Sequence, residues 1–181
     1  MNDGGRQGGM LLAVDPGDEH VGVAWFDKQE KGWACVLVLE MTPDDFDQYL
    51  EQALHSGIFR YVVYESWSLR RDMAVKMIGS EFETCQMIGM IKYVVKRVNA
   101  SAHINPNIDQ EIELIVQSPK VKKATFAITA RKGYQSTADR LKIPAQHVRD
   151  AEIHGIHFIK HKLGDPMLTA GELWDEPPGA A

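Results

Sequence analysis

The chain has 181 residues, 44% of them hydrophobic, which suits one globular domain with a sizeable core. Its formal net charge is −5 at pH 7, which taken alone argues against a dedicated nucleic-acid binder. No apolar run reaches transmembrane length and the first ten residues lack the apolar core of a signal peptide, so a cytoplasmic protein without a membrane partner is expected.

Leu11–Val14 is an apolar run too short for a helix and rich enough for a buried strand. Asp15 follows at once, then the turn signal Pro16–Gly17. Val21–Phe26 reads as a second strand and Trp33–Leu39 as a third, completing a meander. Thr42–Pro43 opens a helix, with Thr42 as N-cap and acids in the first turn. Phe46, Tyr49, Leu50, Ala53 and Leu54 recur at helical spacing, and Gly57 ends it. Arg60–Glu65 is a fourth strand, followed by a long helical pattern from about Met73 to Val98. Ile112–Val116 is a fifth strand, and Ser118–Pro119 caps a helix that carries lysines. A last helix runs from about Ala145 to Lys162. The expected organisation is a flexible lead-in over 1–10, one domain over 11–163, and a flexible acidic tail over 164–181. Cys35 and Cys85 have no metal or redox spacing and are expected to be buried thiols.

Charge is segregated along this chain. Between Ser118 and Lys142 seven basic residues face one acid, while Glu40–Glu51 and the tail after Leu163 carry acids and no base. The basic segment is either a solvated helix face or a surface for an anionic ligand.

Two hydrophobic strands end in a carboxylate, Asp15 and Glu65. If the first and fourth strands are parallel neighbours, both acids lie at one sheet edge, where they repel unless a cation neutralises them. Hard oxygen ligands suit Mg²⁺ or Mn²⁺. The last helix adds His147 and Asp150, three residues apart and therefore on one face, continued by Ala151, His154 and Phe158. Small Ala151 and Gly155 allow a close approach to the sheet. Glu152 points elsewhere and reads as a solvated acid. His154 is either a partly buried helix histidine, a partner of the ligands or an alternative ligand. His157 and His161 read as surface residues.

These segments carry a resemblance. LLAVDPG followed by VGVAWFD resembles the first hairpin of the RuvC-like Holliday-junction resolvases of the RNase H-like superfamily. YVVYES resembles that family's strand ending in a catalytic Glu, SPKVKKA its Val-Lys-Lys helix, and HVRDAEIHGIHF its final helix with two metal-binding side chains three apart. The resemblance covers roughly 11–163. It implies an α/β RNase H-like fold, a five-stranded mixed sheet with helices on both faces. It implies Asp15, Glu65, His147 and Asp150 as catalytic metal ligands, with two Mg²⁺ ions per site and Mn²⁺ as a substitute. The implied reaction is hydrolysis of branched DNA, leaving 5′ phosphate and 3′ hydroxyl ends. Lys120, Lys122 and Lys123 are expected on DNA phosphates, together with Arg70 and Arg71. Trp67 and Ser68 occupy the loop where the family probes the junction centre. Trp67 either stacks on an unpaired base or anchors the loop. A four-way junction is near two-fold symmetric, so a homodimer is implied, with the long helix as candidate interface. Its methionines Met77, Met87 and Met90 face either a partner or the core.

Three other readings remain at this point. An RNase H or a flap nuclease would use the same ligands for the same chemistry. A non-catalytic nucleic-acid binder could share the fold, against which stands the full ligand set. An actin-like nucleotide-binding fold shares the opening hairpin, but no glycine-rich phosphate loop follows.

Overall fold

The computed structural model of the chain describes residues 9–66, 83–102, 110–131 and 136–168. Five strands form one sheet: β1 (Met10–Asp15), β2 (Val21–Gln29), β3 (Gly32–Met41), β4 (Phe59–Glu65) and β5 (Glu113–Gln117). Their order is β3-β2-β1-β4-β5. The opening meander is antiparallel, β4 pairs parallel to β1, and β5 pairs parallel to β4. The expected mixed sheet is therefore present, and the first and fourth strands are parallel neighbours.

The central strands explain themselves. A strand buried on both faces needs apolar residues at odd and even positions alike, and Leu11, Leu12, Ala13 and Val14 are all fully buried. Leu12 and Val14 face one layer with Val62 and Tyr64, while Leu11 and Ala13 face the other with Val63. The first layer is covered by α1 (Pro43–His55) and α2 (Glu83–Ser101). In α1 the Thr42 hydroxyl accepts from the Asp45 amide at 3.2 Å, and Phe46, Leu50, Ala53 and Leu54 form the buried stripe. In α2 the stripe is Met87, Ile91, Val94, Val95 and Val98, so Met87 belongs to the core. Met77 and the start of the expected long helix lie outside the described residues.

The second face is covered by α5 (Gln146–Phe158), with α3 (Val121–Arg131) beside it and a four-residue α4 (Thr137–Arg140) that the sequence pattern did not announce. Two glycines set the seating of α5. A Cβ on Gly155 would run into the Phe26 ring, and a Cβ on Gly22 would run into the His147 backbone carbonyl and the Val148 nitrogen. The helix start therefore lies on bare β2 backbone, a contact only glycine allows. A π-helical turn, Ile159–Leu163, continues α5, and Gly164 closes it in a left-handed conformation with φ 71°.

Several expectations need revision. Glu152 is 0% exposed, not solvated; its two oxygens accept from the Thr137 amide at 2.8 and 2.9 Å. The solvent reading failed because α4 packs over that face of α5. Cys35 is buried as expected, but Cys85 is exposed, on the outer side of α2. His157 is half-buried and its Nδ1 lies 2.9 Å from the Thr125 hydroxyl. Past Leu163 the chain stays on the domain to Leu168. The Leu168 amide donates to the Trp33 carbonyl at 2.8 Å, and Asp165 accepts from the Trp33 indole and pairs with Lys28. No helix of the described residues is long and apolar enough to cross a membrane.

Candidate metal centre

Strand parity builds the site. Asp15 continues the Leu11, Ala13 series and Glu65 the Val63 series, so both carboxylates project onto the α5 face. The register sets Val14 beside Tyr64 and Glu65 beside Gln117, which brings three polar strand ends, Asp15, Glu65 and Gln117, to one edge of the sheet. The chain must turn away from that edge after Asp15, and Pro16–Gly17 does so in a tight space, since a Cβ on Gly17 would meet the His20 carbonyl and the His147 ring. Beyond the turn, Asp18 accepts from the Thr84 amide at 3.1 Å and from the Thr84 hydroxyl, tying the rim to the start of α2.

The first turns of α5 cross this edge. His147 Nδ1 lies 2.7 Å from Asp15 Oδ2. Asp150 accepts from Gln146 at 2.8 Å through Oδ1 and from the Lys122 ammonium at 2.6 Å through Oδ2. One turn on, His154 Nε2 lies 3.0 Å from Glu65 Oε2. These groups border an open cleft of about 500 Å³, to which Ser66, Thr84 and His20 also contribute. All four expected ligands, Asp15, Glu65, His147 and Asp150, thus stand around one place.

Lys122 is where the structure adds most. Its position in a basic run suggested an outward side chain. Instead its ammonium lies 3.1 Å from Asp15 Oδ1, 2.6 Å from Asp150 and in contact with Glu65. Lys120 and Lys123 are exposed. Trp67, Ser68, Arg70 and Arg71 lie outside the described residues.

The electrostatics follow from this crowding. Burial pushes the Asp15 carboxyl from 3.8 up to about 6, against the opposing pull of Lys122 and His147. Burial also acts to raise Glu65, but hydrogen bonds from His154 and Lys122 outweigh it and hold that carboxyl down at about 2. For Lys122 burial disfavours the charge, and Asp15, Asp150 and Glu65 more than compensate, holding the ammonium well above its usual range. Three carboxylates around one cation, with Asp15 still under-compensated, make a donor set that suits a divalent ion of oxygen preference. Among the described residues, Asp15, Glu65 and His154 each offer one ligand atom, all within 4.8 Å of one another, so this group could hold a metal ion.

Sequence comparison gives no match, either to a family model or to a curated protein. Solved structures do match. RuvC of T. thermophilus in complex with a Holliday-junction substrate superposes with a TM-score of 0.57 at 12% identity, over 86% of this chain and 96% of that one. The Holliday-junction resolvase of fowlpox virus gives 0.52 at 12% identity, over 83% and 98%. Its complex with junction DNA gives 0.50 at 12% identity, over 83% and 97%. At such identities it is the backbone that is shared: the chain has the RNase H-like fold in the form seen in RuvC and the poxvirus resolvase.

Proposed function

We propose that the chain is a metal-dependent endonuclease that resolves four-way DNA junctions, working as a homodimer. The observation that carries this reading is the convergence of Asp15, Glu65 and Asp150 on the single cation position held by the Lys122 ammonium. The fold adds support, since the three similar structures named above are of resolvases and two of the three were solved with junction DNA.

Asp15, Glu65, Asp150 and His147 are the residues that would hold a pair of Mg²⁺ ions, with Mn²⁺ as a substitute. When bound, such a pair supplies positive charge on both the attacking and the leaving side of a scissile phosphate. The chain's own groups do the rest. Asp15 is assigned the central place in that set, with Glu65 and Asp150 as the further carboxylate ligands. His147 Nδ1 is engaged with Asp15, which leaves Nε2 as the ring atom that either completes a metal's shell or takes and gives a proton. Exposed Lys120 and Lys123 are near neighbours of Lys122 in sequence and are assigned to DNA phosphates, along with Arg70 and Arg71. Trp67 and Ser68 are assigned to the junction centre. The products would carry 5′ phosphate and 3′ hydroxyl ends.

The test compares a synthetic four-way junction, a flap, an RNA–DNA hybrid and a linear duplex, each with Mg²⁺, Mn²⁺ or chelator. Paired nicks in the junction that need the metal are expected. Cutting of the hybrid or flap with the junction left intact would overturn the resolvase reading while leaving the metal centre standing.

A further inference from the structure

Behind Glu65, away from the cleft, lies a buried polar chain that the reaction as described does not use. Gln117 closes β5 as Glu65 closes β4, and its side chain is buried. Its amide has one sensible orientation. Nε2 donates to the His154 backbone carbonyl at 3.2 Å, which leaves Oε1 facing His154 Nδ1 at 2.8 Å. The flipped amide would set two oxygens against each other. Nδ1 and Oε1 are thus hydrogen-bond partners.

That leaves Nε2 of His154, 3.0 Å from Glu65 Oε2. This contact ties the ring to the carboxylate. His154 itself is 0% exposed, so neither nitrogen has water as an alternative partner. Glu65, by contrast, belongs to a half-buried residue at the cleft wall, and a free glutamate there would have several rotamers to lose on binding a cation. Gln117 fixes the ring, and the ring fixes the carboxylate. Three elements, β5, α5 and β4, are thereby joined through side chains directly behind the candidate metal centre.

We propose that His154 and Gln117 are positioning residues that preset the Glu65 carboxylate for a divalent cation. The proposal rests on the metal-dependent nuclease reading given above. Groups that orient a ligand in this way typically change metal affinity by about 10–100-fold when removed. A merely structural histidine would change stability and leave affinity alone.

The experiment measures Mn²⁺ affinity by the paramagnetic resonance signal of the free ion, alongside thermal melts, for the parent, His154→Ala, His154→Gln and Gln117→Leu. His154→Ala and Gln117→Leu should each weaken Mn²⁺ binding by about 10–100-fold. His154→Gln should recover most of it, because its amide nitrogen reaches about as far as Nε2 and can donate to Glu65. If His154→Ala does not fold, Gln117→Leu decides, since it leaves every group around the cleft in place. Folded variants that bind Mn²⁺ as tightly as the parent would overturn the positioning role. If the parent binds Mn²⁺ and cuts junctions in that case, the nuclease reading stands; if the parent binds no Mn²⁺, both fall together.

Discussion

The Lys122 ammonium lies 3.1 Å from Asp15 Oδ1, a contact between a helix and a strand tip that are 107 positions apart in the chain. The same ammonium reaches Asp150 and Glu65, so one cation serves three carboxylates. Lys122→Met keeps most of the stem and removes the charge. The carboxylates then repel one another, and the metal-free protein should lose about 2–4 kcal/mol. Mn²⁺ should raise the melting temperature more in this variant than in the parent. Melts with and without Mn²⁺ check both points. An equal Mn²⁺ shift in the two proteins would mean that Lys122 and the ion do not share a place.

Asp15 makes metal-free stability depend on pH. Its carboxyl is raised from 3.8 to about 6, first by burial. An acid whose folded-state pKa lies above its unfolded value binds its proton more tightly when folded. Its stabilising contribution is therefore complete below about pH 4 and is lost as pH rises through 6. Asp15→Asn removes that loss. Without metal, the variant should outlast the parent at about pH 7.5 by up to roughly 3 kcal/mol, with the gap closing toward pH 4. Glu65, held at about 2, acts in the opposite sense and only below its ordinary range, so it does not disturb this window. Melts across pH, repeated with excess Mn²⁺, should show the order reversed by the metal. A gap that does not vary with pH would contradict the assignment.

Gly22 tests the seating of α5. Alanine there would press on backbone atoms of His147 and Val148, which cannot rotate away. Gly22→Ala should cost about 1–3 kcal/mol. The helix start must shift, and His147 and Asp150 shift with it. Cleavage at a temperature where the variant is fully folded should fall by about 10–100-fold, as expected for misplaced reacting groups. Full activity in the folded variant would show that the site tolerates a displaced helix.

Glu152 provides the contrast. It is buried, but it faces α4 rather than the cleft, and it holds the Thr137 amide with both oxygens. Glu152→Ala strands that amide and should cost about 1–3 kcal/mol in urea melts. Mn²⁺ affinity should stay at the parent value, because Asp150, two residues away, lies on the other side of the helix.

Much of the candidate site's geometry was legible because two of its carboxylates sit at strand ends. Asp15 and Glu65 each close an apolar run, and a charged residue at such a place stands out in the sequence. The three-residue spacing of His147 and Asp150 gave their shared face. The phase of α5 also pointed His154 the right way, though not how deeply it lies. Other features depended on tertiary packing. Glu152 lies on a face that reads as open until α4, too short to show a period, closes it. Lys122 reads as one of several solvent-facing lysines, since only the placing of α3 beside the strand ends turns its long stem inward. Gln117 also ends an apolar strand, and that was the available sign; its role depends on the register with Glu65, which only pairing fixes.

The most direct measurement is the cleavage of a four-way junction by the parent and by Asp15→Asn, with binding to the same junction followed in parallel. The parent should introduce paired nicks that require Mg²⁺ or Mn²⁺, and Asp15→Asn should bind the junction nearly as well and leave it uncut. An Asp15→Asn protein that cuts as fast as the parent would contradict the placement of the metal centre at this sheet edge.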